Sequence, residues 1–188
     1  MVPCIFHLAR EVHVKTRGMA YLGLFEFVKK EFGKQALLNL LEGLVEFPEM
    51  FIRDIEAYQW YPSDVFNEAV ECLVTELGNG DISVARRFGR FLCDMYASEH
   101  PVDMIAINTE TPGGTPLESF NRLWLIYHDR GSFTQTENEI YLDLDKDMSL
   151  AYMNKIAGFT ERYLEIAGIS FVSVEVYETK PNTMILKM

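Results

Sequence analysis

Apolar residues recur every three to four positions through the first two thirds of the chain, which is the spacing of helices with one buried face. Gly18 opens the first such segment and Gly33 breaks it. Residues 98–114 are rich in proline, glycine and threonine and are predicted to form a loop. The stretch YQWYPSD is predicted to be a turn. Three further helices are expected in this part, at 36–44, 62–77 and 83–95.

Residues 115–118 contain a helix N-terminal motif, and the helix that follows carries the main candidate site residues. The sequence TPLE offers a capping hydroxyl, a proline at the first helical position and a capping-box glutamate. This helix is predicted to run to about Asp129, where Gly131 ends it. His128 therefore lies in its last turn.

Beyond Gly131 the hydrophobic period changes from about four to two, which is typical of strands. SFTQTE and EIYLDLD are predicted to be two strands joined by a tight turn near Asn138. A long helix at about 149–167 follows and Gly168 closes it. SFVSVEVYE and TMILKM are predicted to be two more strands.

This order indicates an α+β fold, in which a helical lobe precedes a small antiparallel sheet with one helix packed on it. Residues 18–188 are predicted to form a single domain, with a helical lobe at 18–130 and a sheet lobe at 131–188. Residues 1–17 are assigned to an N-terminal extension, in which EVHVK could form a short strand.

Composition narrows the classes of partner. The 188 residues are 48% hydrophobic, which is typical of a globular protein, and the net charge is −11. A chain this acidic repels phosphate backbones, so nucleic acid is not an expected partner. No apolar run is long enough to span a membrane, and residues 1–17 lack the core of a signal peptide. The three cysteines form no C-x-x-C pair, so we expect a reducing, cytoplasmic location.

Three stretches resemble the heme nitric-oxide/oxygen-binding (H-NOX) family. RGMAYLGLFEFVKKEFG is similar to its opening helix and DISVARRFGRFLCDMYASEH to its fourth. NKIAGFTERYLEIAGISFVSVEVYE is similar to its last helix and third strand. The resemblance covers most of 17–188 and implies a cytoplasmic sensor domain. The same superfamily includes heme-free relatives, such as 4-vinyl-reductase-type domains and vesicle-trafficking subunits.

The resemblance also implies candidate heme-binding residues. In the family, a histidine on the helix before the sheet binds iron, and a Y-x-S-x-R motif on the second strand holds the propionates. Here His128 lies eight residues after Phe120 and four after Trp124, so the three share a helix face. These three and Tyr141 are the candidate cofactor-binding residues, and His128 is the candidate metal ligand.

The chain departs from the family pattern in two places. After Tyr141, aspartates at 143 and 145 replace the serine and the arginine, and carboxylates repel propionates. The helix also stops at Gly131 instead of continuing beyond its histidine; aligning the helix ends instead places Arg122 at the ligand position. We therefore expect a degenerate heme site.

Three roles for His128 stay open from the sequence. It could bind iron, it could be a polar last-turn residue that favours the helix dipole, or it could be a catalytic base. No serine or cysteine nucleophile is placed near it by sequence, and no enzyme activity is expected.

The sequence thus favours a sensory or regulatory domain that binds a small apolar ligand or a signalling protein and reports by a shape change. One alternative is a heme-dependent NO/O2 sensor with His128 on the iron. The other is a protein–protein adaptor that acts as a homodimer. A cavity of roughly 300 Å³ or more would favour the ligand sensor, whereas a solid interior with a large apolar surface patch would favour the adaptor.

Overall fold

The computed structural model describes most of the chain. Its described residues are 14–43, 55–99, 116–136, 139–143, 148–168, 173–180 and 182–187.

Within the described residues the α+β prediction is confirmed. Five helices precede the main sheet and a sixth follows its second strand. Gly33 ends the first helix with a φ of 90°, a value that glycine adopts without strain. Most of the predicted loop 98–114 lies outside the described residues. The helices are α1 (Gly18–Phe32), α2 (Lys34–Gly43), α3 (Ser63–Cys72, continued by a π-helical turn Leu73–Leu77), α4 (Ser83–Glu99), α5 (Pro116–Tyr127) and α6 (Leu150–Ile166).

A two-stranded ribbon corrects the expectation of a turn at YQWYPSD. Trp60–Pro62 form strand β2, which pairs antiparallel with strand β1, Lys15–Arg17. The turn prediction was wrong at 60–62 because the strand partner lies more than 40 residues away, beyond the reach of local pattern. The assignment of residues 1–17 to an extension stays a prediction, and residues 1–13 lie outside the described residues.

The four remaining strands form one antiparallel sheet in the order β3-β4-β6-β5. In β4, Ile140 and Leu142 are buried and their neighbours in the strand are not, as the period of two predicts. Helix α6 packs on the sheet, and the Ser149 hydroxyl caps it by accepting a hydrogen bond from the Tyr152 amide at 3.2 Å. The strands are β3 (Ser132–Thr136), β4 (Glu139–Asp143), β5 (Ser173–Val176) and β6 (Thr183–Lys187).

Helices α4 and α6 make the most extensive helix–helix contact of the described residues. They approach so closely because glycines lie at the crossing. A Cβ atom at Gly89 would lie 1.9 Å from the Lys155 carbonyl oxygen, and one at Gly158 would lie 2.1 Å from the Arg86 carbonyl oxygen. This crossing fixes the position of α6 beneath the helical lobe. None of the described helices has the length and apolar character needed to cross a membrane.

Candidate functional site

His128 lies where α5 ends and the chain turns towards the sheet. Its amide still donates to the Trp124 carbonyl at 2.9 Å, as in a helix, while its backbone also forms a β-bridge with Thr16. The side chain is only 1% exposed. Strand β1 therefore covers this end of the helix.

The His128 imidazole has a polar partner on each nitrogen. Nδ1 lies 3.1 Å from the Thr16 hydroxyl, which in turn lies 2.6 Å from the Ser63 hydroxyl. Nε2 lies 3.2 Å from the Tyr152 hydroxyl. The ring stacks on Trp124 with centroids 3.8 Å apart. Neighbours from β1, α5 and α6 therefore hold this side chain in one orientation.

The surroundings of His128 favour its neutral form. Burial lowers its pKa well below the usual value, and the charge of Lys155 lowers it further. A neutral imidazole has one donor and one acceptor nitrogen, which the two hydroxyl partners can both match.

Lys155, on α6, is the second ionisable residue of the site. It is 5% exposed, and its Nζ lies over the rings of Tyr152 (4.6 Å) and Phe66 (5.2 Å). In the part of the chain that the structure describes, no carboxylate pairs with it. Burial lowers the pKa of Lys155 to about 7. The sequence interpretation missed this residue, although its spacing of four from both Ala151 and Phe159 places it on the buried stripe.

A cavity lies beside these two residues, between α4, α5 and α6. It is partly open to solvent, and the space that a water-sized group can occupy in it is about 20 Å³. The lining residues are Leu92, Phe120, Leu123, Trp124, Tyr127, His128, Lys155, Ile156 and Phe159.

Tyr127 adds a polar group to this lining. Its ring is buried and its hydroxyl has no hydrogen-bond partner in the described structure. Burial raises its pKa well above the usual value, so the hydroxyl keeps its proton. The cavity thus combines apolar walls with three polar groups, none of which is an anion.

The predicted site residues separate into two places. Phe120, Trp124 and His128 line the cavity together, as their shared helix face predicts. Tyr141 lies on β4 opposite Thr134 and Thr183, is 45% exposed, and is absent from the cavity lining. Asp145 lies outside the described residues. Over the described ranges, no group of three or more potential metal ligands occurs.

A second concavity lies on the surface of the helical lobe. It is a groove of about 440 Å³ between α1, α2 and α4. Met19, Leu22, Phe25, Leu37 and Met95 give it an apolar lining, and Leu22 is among the exposed large hydrophobic residues.

Solved structures of similar fold are H-NOX proteins. The Fe(II) unliganded H-NOX protein from K. algicida matches with a TM-score of 0.64 at 12% identity, over 91% of this chain and 95% of that one. A mutant H-NOX protein from S. oneidensis in the Fe(II) ligation state matches with a TM-score of 0.58 at 16% identity, over 92% and 96%. A mutant of T. tengcongensis H-NOX gives 0.55 at 10%, over 91% and 96%. No protein-family model matches the chain, and no curated protein does.

Proposed function

Because this chain has an H-NOX-like fold, we propose that it is a sensory or regulatory domain that binds a small ligand without heme. The cavity is smaller than the roughly 300 Å³ that would by itself favour a ligand sensor, so the proposal rests on the composition of its lining: aromatic walls beside buried His128 and Lys155. Cavities with mostly apolar walls and a few polar groups are the usual sites for small ligands.

The size of the cavity does not fit a heme. A space of about 20 Å³ has room for roughly one water-sized group. A porphyrin is far larger than that void, and its insertion between α5 and α6 would separate packed rings such as Phe120 and Tyr163. Aromatic pairs of this kind contribute about 0.5–1.5 kcal/mol each beyond their buried area.

The chemistry of the lining does not fit a heme either. An iron bond from His128 requires a free ring nitrogen, but both nitrogens have hydroxyl partners. The Lys155 ammonium would oppose a second positive centre beside it. On β4, Tyr141 is exposed and Asp143 brings a negative charge towards any propionate.

A ligand in the cavity would contact α4, α5 and α6 together. It would touch Trp124, whose ring supports His128, so binding at this place is coupled to the junction between helical lobe and sheet. This geometry supports a conformational change as the signal that ligand binding produces.

Reconstitution with hemin tests the heme-free part of the proposal. We expect the purified chain mixed with hemin to keep the spectrum of free hemin, with no Soret band that depends on His128. His128→Ala is the matched variant. A Soret band present in the unchanged chain and lost in that variant would contradict the proposal and establish the gas-sensor alternative.

Trp124 fluorescence tests the ligand-binding part. In a Trp60→Phe background, Trp124 is the single remaining tryptophan. A small apolar molecule that enters the cavity should change its emission in a saturable way. Leu123→Phe provides the comparison, because the larger ring fills the cavity without adding a second tryptophan and should abolish the response. If neither butanol nor butyrate, which do not fluoresce, changes the emission at millimolar concentration, the ligand-binding part fails.

A dimeric adaptor is the second candidate, and the apolar groove on α1, α2 and α4 favours it. Sedimentation velocity of the unchanged chain and of Leu22→Glu tests this. The adaptor requires a dimer that the charged variant dissociates, because a carboxylate buried in an apolar interface is costly. A monomer over the micromolar range excludes it.

A further inference from the structure

We propose that the cavity binds a small monocarboxylate, with the carboxylate on Lys155 Nζ and the apolar part against the aromatic walls. This inference rests on the proposed ligand-binding function and names the chemical class of the ligand.

Lys155 carries a charge that its surroundings do not balance. A buried ammonium is costly unless it is paired, and the described partners of its Nζ are two ring faces. Other cations on the same helix pair do have partners: Arg86 Nη1 lies 3.2 Å from Glu161, and Arg162 Nε lies 2.6 Å from Asp94. Lys155 is the buried cation whose counter-charge the described residues do not supply.

The charges of the lining residues favour binding of an anion. None of the nine lining residues is acidic, although the chain has 28 aspartates and glutamates. The lining also includes Tyr127, whose buried hydroxyl has no hydrogen-bond partner in the described structure. A carboxylate on Lys155 Nζ would satisfy a charge that the described residues leave unpaired.

The same lining limits the charge of the anion to one. Lys155 is the one formal cation of the lining, because burial and the lysine charge keep His128 neutral. A phosphate dianion would bring a second charge without a partner, at the high cost of a buried lone charge. A neutral alcohol or amide would leave the ammonium unbalanced. A monocarboxylate is the class that matches both constraints.

The size of the cavity limits the ligand further. The space of about 20 Å³ holds roughly one water-sized group, such as a single carboxylate oxygen beside Lys155. An aryl or short alkyl body would occupy the wider space in front of Phe120 and Phe159, where it replaces solvent by ring contacts.

Titration calorimetry with paired probes tests the inference. The acids are benzoate and butyrate, and benzamide and butyramide are their neutral counterparts of similar shape. In the unchanged chain we expect the acids to bind at least about tenfold more tightly than the amides. Lys155→Met should remove that preference. Lys30→Met, a surface lysine over the Phe91 ring, is the matched control and should keep it.

Proton uptake on binding provides a second, independent readout. Above the Lys155 pKa of about 7 the amine is largely neutral, and a bound carboxylate favours its charged form. His128 and Tyr127 line the same cavity, and the Tyr152 hydroxyl contacts His128; the tyrosines keep their protons in this range. Calorimetry in two buffers of different ionisation enthalpy should therefore show uptake of up to one proton in the unchanged chain and none in Lys155→Met.

Three outcomes would overturn the inference. Equal binding of acids and amides would contradict the carboxylate preference but not the ligand-binding function of the cavity. A preference for acids that persists in Lys155→Met would mean that the anion binds at another site. No binding of any of the four probes would overturn both the inference and the proposed ligand-binding function.

Discussion

His128 and Lys155 line the same cavity, but only His128 has hydrogen-bond partners that satisfy its polar atoms. His128 has a hydroxyl on each nitrogen and is therefore satisfied when neutral. Lys155 has only ring faces, and a desolvated cation–π contact contributes about 2 kcal/mol. That is less than the several kcal/mol that burial of an ammonium costs. The balance explains why burial lowers the pKa of Lys155 to about 7.

We predict that the free energy of unfolding rises between about pH 7 and about pH 8.5 because of Lys155. Its pKa is about 7 in the folded chain and near 10.5 when unfolded, so in this range the unfolded chain binds more protons. Stability therefore increases with pH, on the order of 1–2 kcal/mol across the range. His128 titrates below this range and Cys93, whose pKa burial raises to about 12, above it.

Urea denaturation at several pH values measures this slope. Lys155→Met should be more stable than the unchanged chain at pH 7 and should lack the Lys155 contribution to the slope. Lys30→Met removes a surface charge and should leave it in place. An equal slope in both variants would assign the pH dependence to other groups.

At the scale of elements, the crossing of α4 and α6 positions the site. The backbone atom closest to Gly89 is the carbonyl oxygen of Lys155 itself, so the crossing and the cavity share a residue. Ion pairs beside the crossing, such as Arg90 with Glu165 at 2.7 Å, are partly exposed and contribute little. Close packing of the two glycines therefore has the larger effect.

We predict that Gly89→Ala destabilises the fold by about 3 kcal/mol, because its methyl group would overlap the α6 backbone and force the helices apart. Thermal or urea unfolding measures this loss. Ser98→Ala, an exposed position on the same helix, should stay within about 0.5 kcal/mol of the unchanged chain. A Gly89→Ala variant of unchanged stability would show that the helices can separate freely.

At the scale of the whole molecule, strand β1 joins distant parts of the helical lobe around His128. It pairs with β2 in the helical lobe, and the Asp129 amide donates to the Lys15 carbonyl at 3.1 Å. The Thr16 hydroxyl reaches His128 between them. Residues assigned from the sequence to an extension therefore complete the surroundings of the candidate site.

We predict that a chain starting at Gly18 loses more stability than Thr16→Val does. The valine removes only a hydroxyl, leaves His128 Nδ1 without its partner, and should cost about 1–3 kcal/mol. The truncation also removes the β1–β2 pairing. Urea unfolding compares the two, with Lys15→Ala, an exposed side chain, as control. Equal losses would mean that the hydroxyl alone accounts for the role of β1.

Local patterns predicted much of the helical lobe and the sheet. Helices starting at Gly18, Ser83 and Leu150 follow from apolar spacing and end signals, which act within a few residues. The grouping of Phe120, Trp124 and His128 was predictable for the same reason, since a single helix face carries all three. The resemblance to H-NOX proteins, stated from the sequence, is confirmed at the level of the fold.

The remainder depends on contacts between distant parts of the chain. The sequence alone determined which segments are helices and strands and which helix face holds His128, because those properties arise from neighbours a turn apart. Only the tertiary structure decided that β1 covers His128, that Lys155 faces the same cavity, and that Tyr141 faces solvent. Burial and charge balance depend on which segments meet in space, and no local period carries that information.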